Sequence, residues 1–593
     1  YWIRPPRQIR GIWSVCRLFE RKSPKRKVYL STEETIKDAI DTLIRARPGF
    51  WSRTACGVTR SLGQIPALLD RNAYSVETSR TRILLIGGLT GYQADVDMAL
   101  HALELFAGGG DSLSLRIALS AVPCANPDGL RLNSAPGNGT GGNPSGFYPP
   151  EGKFFYDPED PEKRYLWRWV CFQAPDLVLE LQSGDSLKWE ANQAAQSLAP
   201  GLAAKTISGE QGLLAALGTG HPDGLGTIPG LRMTATDEQL PRELGRLFSM
   251  LRQLDVLVRS DARKTLDSRR NRPKIEIANV LATAYGHTFE PVVYTQGVPI
   301  SGRLRLIQLE PGGDDPLPGI TSLLERFATG GLSEDLAPSA LASVVWADEL
   351  ADAAGEPRYN ELAVQAAERF ESRGQGSAPK PCDPDFRTED MFMSGAVLGR
   401  AFKLTGNTKY IDLLASFIVD GKIQQNHGLF WHCRSAAYYW GRGNGFAAMG
   451  LAETLTYLPE DHAQRPVITT MYERLMASLR RLQHPSGTLN QVLDIPGSYL
   501  EFTATCMMGY AMARGLRLGF LSPDFRESVD LAWQAVAERI DDVGNVVDGC
   551  ASTGVQNNVR EYLDRPAIFG FDDRSGGMAL WFAVEMERLD RGI

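Results

Sequence analysis

The apolar residues of this chain change their period once, near residue 330, and that change limits the fold more than any other feature. Before it, short apolar runs alternate with helical stretches. Arg82 to Gly88 (RILLIGG), Leu115 to Val122 and Asp176 to Leu181 (DLVLEL) are the runs, and Asp95 to Phe106 is one of the helical stretches between them. Such alternation predicts a largely parallel sheet covered on both faces. Residues 133–150 (NSAPGNGTGGNPSGFYPP) are too rich in Gly, Pro and Asn for anything but a loop. Beyond 330 the pattern is almost wholly helical, with expected helices at 337–353, 358–372, 389–404, 408–421, 443–457, 464–483, 500–517, 525–540 and 575–589. Gly355-Glu356-Pro357, Thr405-Gly406-Asn407, Pro459-Glu460-Asp461 and Ser522-Pro523-Asp524 punctuate them. The stretch from Ala504 to Leu516 is apolar nearly all round, the mark of a buried helix. No fixed-period repeat is visible, which favours a closed α/α barrel over a solenoid. The expected division is a basic tail at 1–28, an α/β domain at 29–260, a connector with helices at 261–330 and an all-α domain at 331–593. The connector has a basic patch (Arg269, Arg270, Arg272, Lys274) and a break at Pro311-Gly312-Gly313.

With 593 residues, 43% of them hydrophobic and 22% charged, the chain has ordinary globular composition. A net charge of −7 argues against a general nucleic-acid partner, and no apolar run is long enough to span a bilayer. The segment from Tyr1 to Val28 carries nine Lys/Arg and one Glu. It lacks the apolar stretch of a secretory leader and reads as a poorly ordered tail. The eight cysteines form no CxxC pair and no zinc-ligand cluster with His. Scattered free thiols favour a reducing compartment, so a cytoplasmic location is expected.

Three short stretches concentrate polar and aromatic residues within the apolar helical pattern, each beside the start of an expected helix: TEDMFMSG (388–395), GLFWH (428–432) and WGRGNGF (440–446). Asp390 enters an apolar helix at its first turn. It is either an N-terminal cap or a carboxyl with a raised pKa, able to act as acid and then base. His432 alone reads as a satisfied core histidine. Arg442 stands between glycines, and Gly441, Gly443 and Gly445 are expected to give the backbone freedom there. A fixed guanidinium suits a ligand carboxylate, and Trp440 and Phe446 flank it as faces for a sugar ring.

On these stretches, together with LPEDH (458–462), QVLD (491–494), residues 497–521 and EYL (561–563), residues 330–590 resemble the unsaturated rhamnogalacturonyl and glucuronyl hydrolases of glycoside hydrolase families 105 and 88. The resemblance implies an (α/α)6 barrel. Family members carry their catalytic aspartate in a Trp-x-Asp-x-x-(Tyr/Phe)-Met segment, assigned here to Asp390. His432, Trp440 and Arg442 match substrate-binding positions, and Trp431, Asn444, Phe446 and Glu501 complete the expected substrate-binding set. The chain departs from the family at Cys433-Arg434-Ser435-Ala436 and near Ser339, where a second aspartate is expected and Asp335 is the nearest carboxylate.

Residues 50–260 resemble the zinc carboxypeptidases, on the strand ending Ile86-Gly87-Gly88, on Asn126-Pro127-Asp128-Gly129 and on the strand from Asp176 to Leu181. At the family's ligand positions stand Thr90, Gln93 and Gln182, and His101 and His221 lie elsewhere in the chain. Neutral Thr and Gln side chains are poor zinc ligands, so a metal-free, inactive frame is expected.

The resemblance implies an enzyme without metal or organic cofactor. One carboxyl protonates C4 of a terminal C4=C5-unsaturated uronic acid on a pectin- or glycosaminoglycan-type oligosaccharide, then takes a proton from the water that adds at C5. His432 would hold a ring substituent, and Arg442 the uronate. The alternatives are a conventional β-glucuronidase on the same barrel, with Glu501 or Asp494 as the second carboxylate, a non-catalytic carbohydrate-binding or scaffold protein, and a metallopeptidase.

Overall fold

The structure is a computed structural model. It describes residues 32–109, 111–150, 158–209, 211–220, 224–253, 259–310, 315–332 and 337–593. The basic head, His221, Pro311-Gly312-Gly313 and Asp335 lie outside the described residues.

The first half is an α/β unit. Helix α1 (Thr32–Ala46) precedes the hairpin β1 (Trp51–Val58) and β2 (Gln64–Asp70). Then follow β3 (Thr81–Ile86), α2 (Gln93–Gly108), β4 (Ile117–Val122), α3 (Pro161–Gln173), β5 (Leu177–Ser183), β6 (Lys188–Ala191), β7 (Lys205–Thr206), β8 (Gly230–Ala235) and α4 (Leu240–Gln253). The strands form one eight-stranded sheet in the order β1-β2-β4-β3-β5-β8-β6-β7. Its centre, β4-β3-β5-β8, is parallel, and β2 and β6 join it antiparallel. Period-two alternation sorts the side chains. Ile83, Leu85, Leu177, Leu179 and Leu181 pack on one face, with residues of α1, α2 and α4. Leu84, Ile86 and Val178 pack on the other, against α3. All thirteen residues of α3 are buried, including Glu162, Lys163, Arg164 and Arg168. A helix polar in sequence is hidden this way only when protein covers it on every side. Here the sheet covers one side of α3 and the helical half the other. Trp440, Tyr499, Tyr562 and Leu563 of the helical half share one core cluster with Val58, Leu166 and Trp169 of the first. Arg168 and Asp548 form a buried ion pair across the boundary at 2.7 Å.

The helical half contains α5 (Lys274–Ala284), α6 (Tyr294–Leu309), α7 (Leu317–Gly330), α8 (Ala347–Ala354), α9 (Arg358–Glu368), α10 (Thr388–Thr405), α11 (Thr408–Asp420), α12 (Gly441–Tyr457), α13 (Arg465–Leu482), α14 (Phe502–Arg517), α15 (Arg526–Ala537), α16 (Val559–Leu563) and α17 (Asp573–Arg591). The expected helices from 358 onward lie within a few residues of these bounds. The stretch 337–353 is broken: a turn of α-helix at Pro338–Leu341 passes into 3-10 helix at Ala342–Trp346, with a kink at Val344, before α8. Residues 274–330 do not merely connect. Ile277, Leu281, Val298, Leu304, Ile320 and Leu324 belong to the same core as Leu398, Met449 and Phe582.

Helix α6 packs on α17, α17 on α14, α14 on α12, α12 on α10, α10 on residues 338–346, and these return to α6, closing a ring. The staves α10, α12, α14 and α17 run parallel: Thr388 lies beside Gly443 and Gly399 beside Tyr457, Gly445 beside Met507, and Gly509 beside Phe582. Among the described residues no helix is long and apolar enough to cross a membrane.

One end of the ring is filled by charge. Arg305 pairs with Glu349 at 2.7 Å, Arg400 with Glu453 at 2.9 Å and with Asp348 at 3.2 Å, Arg514 with Glu585 at 3.5 Å, and Arg517 with Glu585 at 2.6 Å. The Tyr510 hydroxyl donates to Glu453 Oε1 at 2.9 Å and accepts from Arg305 and Arg514. Burial alone would raise the pKa of Glu453, but Arg514, Arg400 and Arg305 hold it down at about 2.

Candidate active site

The opposite end of the ring, where α10, α12, α14 and α17 begin, gathers the polar stretches singled out in the sequence. The N–H of Thr388 donates to His432 O at 3.0 Å, and the N–H of His432 to Tyr438 O at 3.0 Å, so the GLFWH stretch lies across the first turn of α10. The Gly441 N–H donates to Gln491 O at 2.8 Å, which fixes the start of α12. Gly441, Gly443 and Gly445 sit in ordinary helical backbone, so conformational freedom is not their purpose. They permit close approach. A Cβ on Gly441 would lie 2.6 Å from Asn490 O, one on Gly443 3.0 Å from Thr388 Oγ1, and one on Gly445 2.8 Å from Met507 Sδ.

At the centre is a chain of three side chains. The imidazole of His432 is 3.0 Å from Glu389 Oε1 through Nε2, and 2.5 Å from the Tyr562 hydroxyl through Nδ1. Its ring lies on Trp440 at a centroid distance of 4.6 Å, and the guanidinium of Arg442 covers the indole at 4.7 Å. Burial pushes the Glu389 carboxyl up, but the imidazole beside it outweighs that and holds it below the usual range.

Asp390, to which the sequence assigned the acid, faces a different neighbourhood. It is 5% exposed, and its Oδ2 accepts from the Asp383 N–H at 2.8 Å. Burial, reinforced by the charges of Glu389 and Asp383, pushes it up to about 7. Among the described residues, the carboxylate on His432 is that of Glu389. The sequence carried a signal for it. In a Trp-x-Asp-x-x-(Tyr/Phe)-Met segment the acid stands three residues before the aromatic, and three before Phe392 is Glu389, not Asp390. Tyr562 lay within the EYL stretch, but nothing in its spacing marked its role.

The other expected residues divide. Arg442 does not present a free fork: Nη1 donates to Cys550 O and Nη2 to Ala551 O, the latter at 3.0 Å. Asn444 is fully buried, accepts from the Phe430 N–H at 2.8 Å and donates to Phe430 O and Trp440 O, tying the GLFWH stretch to α12. Phe446 is a core residue beside Tyr294 and Phe392. Glu501 caps α14, accepting from the N–H groups of Thr503 and Ala504, and takes the Cys550 N–H at 2.8 Å as well. Trp431 packs, half-buried, on the rim of the helical core.

In the first half, Thr90 donates to Asp95, Gln93 to Asp97 at 2.7 Å and Gln182 to Glu180 at 2.7 Å. Among the described residues no group of three or more His, Cys, Asp or Glu is arranged to hold a metal ion. A cavity of about 40 Å³ lies between α3 and Ser498-Tyr499. That is little more than the share of one water molecule, roughly 30 Å³, and leaves no room for a sugar.

Residues 387–590 match the family model described as Glycosyl Hydrolase Family 88. The chain is 29% identical over 150 residues to the unsaturated rhamnogalacturonyl hydrolase YesR of Bacillus subtilis, an alignment covering 25% of this chain. The chain spans 41% of the length of that relative. A solved family 105 glycoside hydrolase of C. acetobutylicum superposes with a TM-score of 0.47 and 18% identity, over 52% of this chain and 99% of the other. A metallo-carboxypeptidase of Burkholderia cenocepacia superposes with a TM-score of 0.31 and 13% identity, over 38% of this chain and 69% of the other.

Proposed function

We propose that the helical half is an (α/α)6-barrel glycoside hydrolase that removes a terminal unsaturated uronic acid from an oligosaccharide by hydrating its C4=C5 bond, and that the first half is a carboxypeptidase-like frame without metal ligands. The observation that carries this reading is the Glu389–His432–Tyr562 chain at the start of α10. It stands within the segment that matches family 88, and the similar Bacillus subtilis protein bears the name of an unsaturated uronyl hydrolase.

Glu389 is the candidate acid. In the empty site it is ionised beside the imidazole. A bound uronate brings a second negative charge and shuts out water, and both raise the pKa of a carboxyl. The protonated group then delivers its proton to C4, positive character develops at C5, and a water oxygen bonds there while its proton returns to Glu389. The resulting hemiketal opens and the sugar partner leaves. The parallel staves turn the positive ends of their dipoles toward this site, which favours an anionic substrate. A second reading keeps Asp390 as the acid, and its carboxyl, pushed up to about 7, favours that.

The test is consumption of an unsaturated disaccharide, followed as loss of the enoate's ultraviolet absorbance. Glu389→Gln is expected to lower kcat by about 10²–10⁴-fold, the usual contribution of a general acid or base, while Asp390→Asn keeps most of the activity. The reverse pattern supports the second reading. Cleavage of a saturated glucuronide while the unsaturated substrate is left untouched would falsify hydration.

A further inference from the structure

We infer that the α/β half orients the imidazole of the candidate site, with Tyr562 as a positioning residue whose seat is fixed from across the domain boundary. This rests on the proposed role of the Glu389–His432 pair. Tyr562 sits on α16, a five-residue helix that cannot hold its own place by backbone hydrogen bonds alone. Much of its anchorage comes from the other half of the chain. Arg560 Nη2 donates to Thr59 O at 2.5 Å and to Arg60 O at 3.2 Å. Arg60 pairs with Asp564 at 2.9 Å, and Arg164, on the buried α3, donates to Leu563 O at 3.3 Å. From the helical half, Gln491 donates to Tyr562 O at 2.7 Å.

The hydroxyl of Tyr562 accepts the Gln556 N–H at 3.3 Å and lies 2.5 Å from His432 Nδ1, to which its own proton is free to turn whenever the ring is neutral. A neutral His432 is thereby held as the tautomer with hydrogen on Nε2, and that hydrogen points at Glu389. Displacing α16 breaks this chain without touching Glu389 or His432. On this reading a frame that carries no metal ligands still serves the chemistry, by holding a short helix in register.

The test uses the full chain with 15N-labelled histidine rings. The sequence has seven histidines, and the His432 signal is identified by its loss in His432→Gln. Arg560→Met is expected to shift the His432 ring signals toward a tautomer mixture. It should also lower kcat on the unsaturated disaccharide about 10-fold, with KM changed less than about 2-fold, consistent with misplacement of a catalytic group. Arg560→Lys is expected to recover part of both effects. Tyr562→Phe should reproduce the shift of the ring signals. If Arg560→Met does not fold by its melting curve, Arg60→Met replaces it. Ring signals and kcat that stay as in the wild type in a folded variant overturn the inference. Should the wild type leave the disaccharide untouched, the functional reading fails, and the ring signals alone still decide whether α16 sets the tautomer.

Discussion

Replacing Glu453 by Gln tests the charged end of the helical ring. The carboxylate is fully buried and faces Arg400 at 2.9 Å, the Tyr510 hydroxyl at 2.9 Å and Arg514 at 3.8 Å. The amide keeps the volume and removes the charge, so two buried guanidiniums lose a shared counter-ion. Breaking a buried ion pair from one side costs about 3–5 kcal/mol. At roughly 2 °C per kcal/mol for a unit of this size, Tm falls by about 6–10 °C. The pH dependence gives a second reading of the same quantity. The folded pKa of Glu453 is held at about 2, below its ordinary 4.5. The stabilisation is therefore present above pH 4.5 and is lost as pH falls through 2. It amounts to about 3 kcal/mol at 1.36 kcal/mol per unit. Melting curves by circular dichroism should separate wild type from Glu453→Gln widely at pH 7 and draw together on acidification. Glu587→Gln, which breaks a partly exposed pair with Arg591 within one helix, is the control and should change stability by less than about 0.5 kcal/mol. A Glu453→Gln protein that melts within about 1 °C of the wild type at pH 7 refutes the reasoning.

Two further substitutions probe the site end. Gly441→Ala places a methyl 2.6 Å from the Asn490 carbonyl and should cost about 1–3 kcal/mol as overpacking, measured by urea denaturation, whereas freedom of the backbone as the reason for glycine predicts no such clash. Asp390 is the opposite case from Glu453: its folded pKa is raised to about 7, so the folded state binds the proton more tightly and stability falls as pH rises from about 4 to 7. Asp390→Asn should therefore raise Tm at pH 8 and change it little at pH 4; an equal effect at both values would show that the carboxyl does not titrate in this range.

The division into an α/β and a helical half was legible because each carries a different apolar period over many residues. The strand runs at 82–88 and 176–181 and the helices from 358 onward are strong local patterns with clear turn chemistry between them. Residues 274–330 were harder. Pro299 inside α6 and the breaks around Pro311 look like linker punctuation, yet Val298, Ile300 and Leu304 are held by α17, which follows some 270 residues later. No local window contains that partner. The site was legible as three stretches, and the neighbour of the imidazole is one residue from the acid expected from the sequence. Glu389 and Asp390 are adjacent acids at one helix start, and only the fold shows that Glu389 is the one beside the imidazole. Glu501 and Asn444 look like sugar ligands by type, but their hydrogen bonds go to backbone groups, some local (Thr503, Ala504, Trp440) and some that only the fold brings near (Cys550, Phe430).

The charged network stands some eleven residues, about 16 Å of helix, below the side chains of the candidate site. With guanidiniums and carboxylates locked together there, the ring is a cup and not a tunnel. A polymer could not be threaded through it. On the proposed function, a sugar would have to enter and leave at the other end, where α10, α12, α14 and α17 begin.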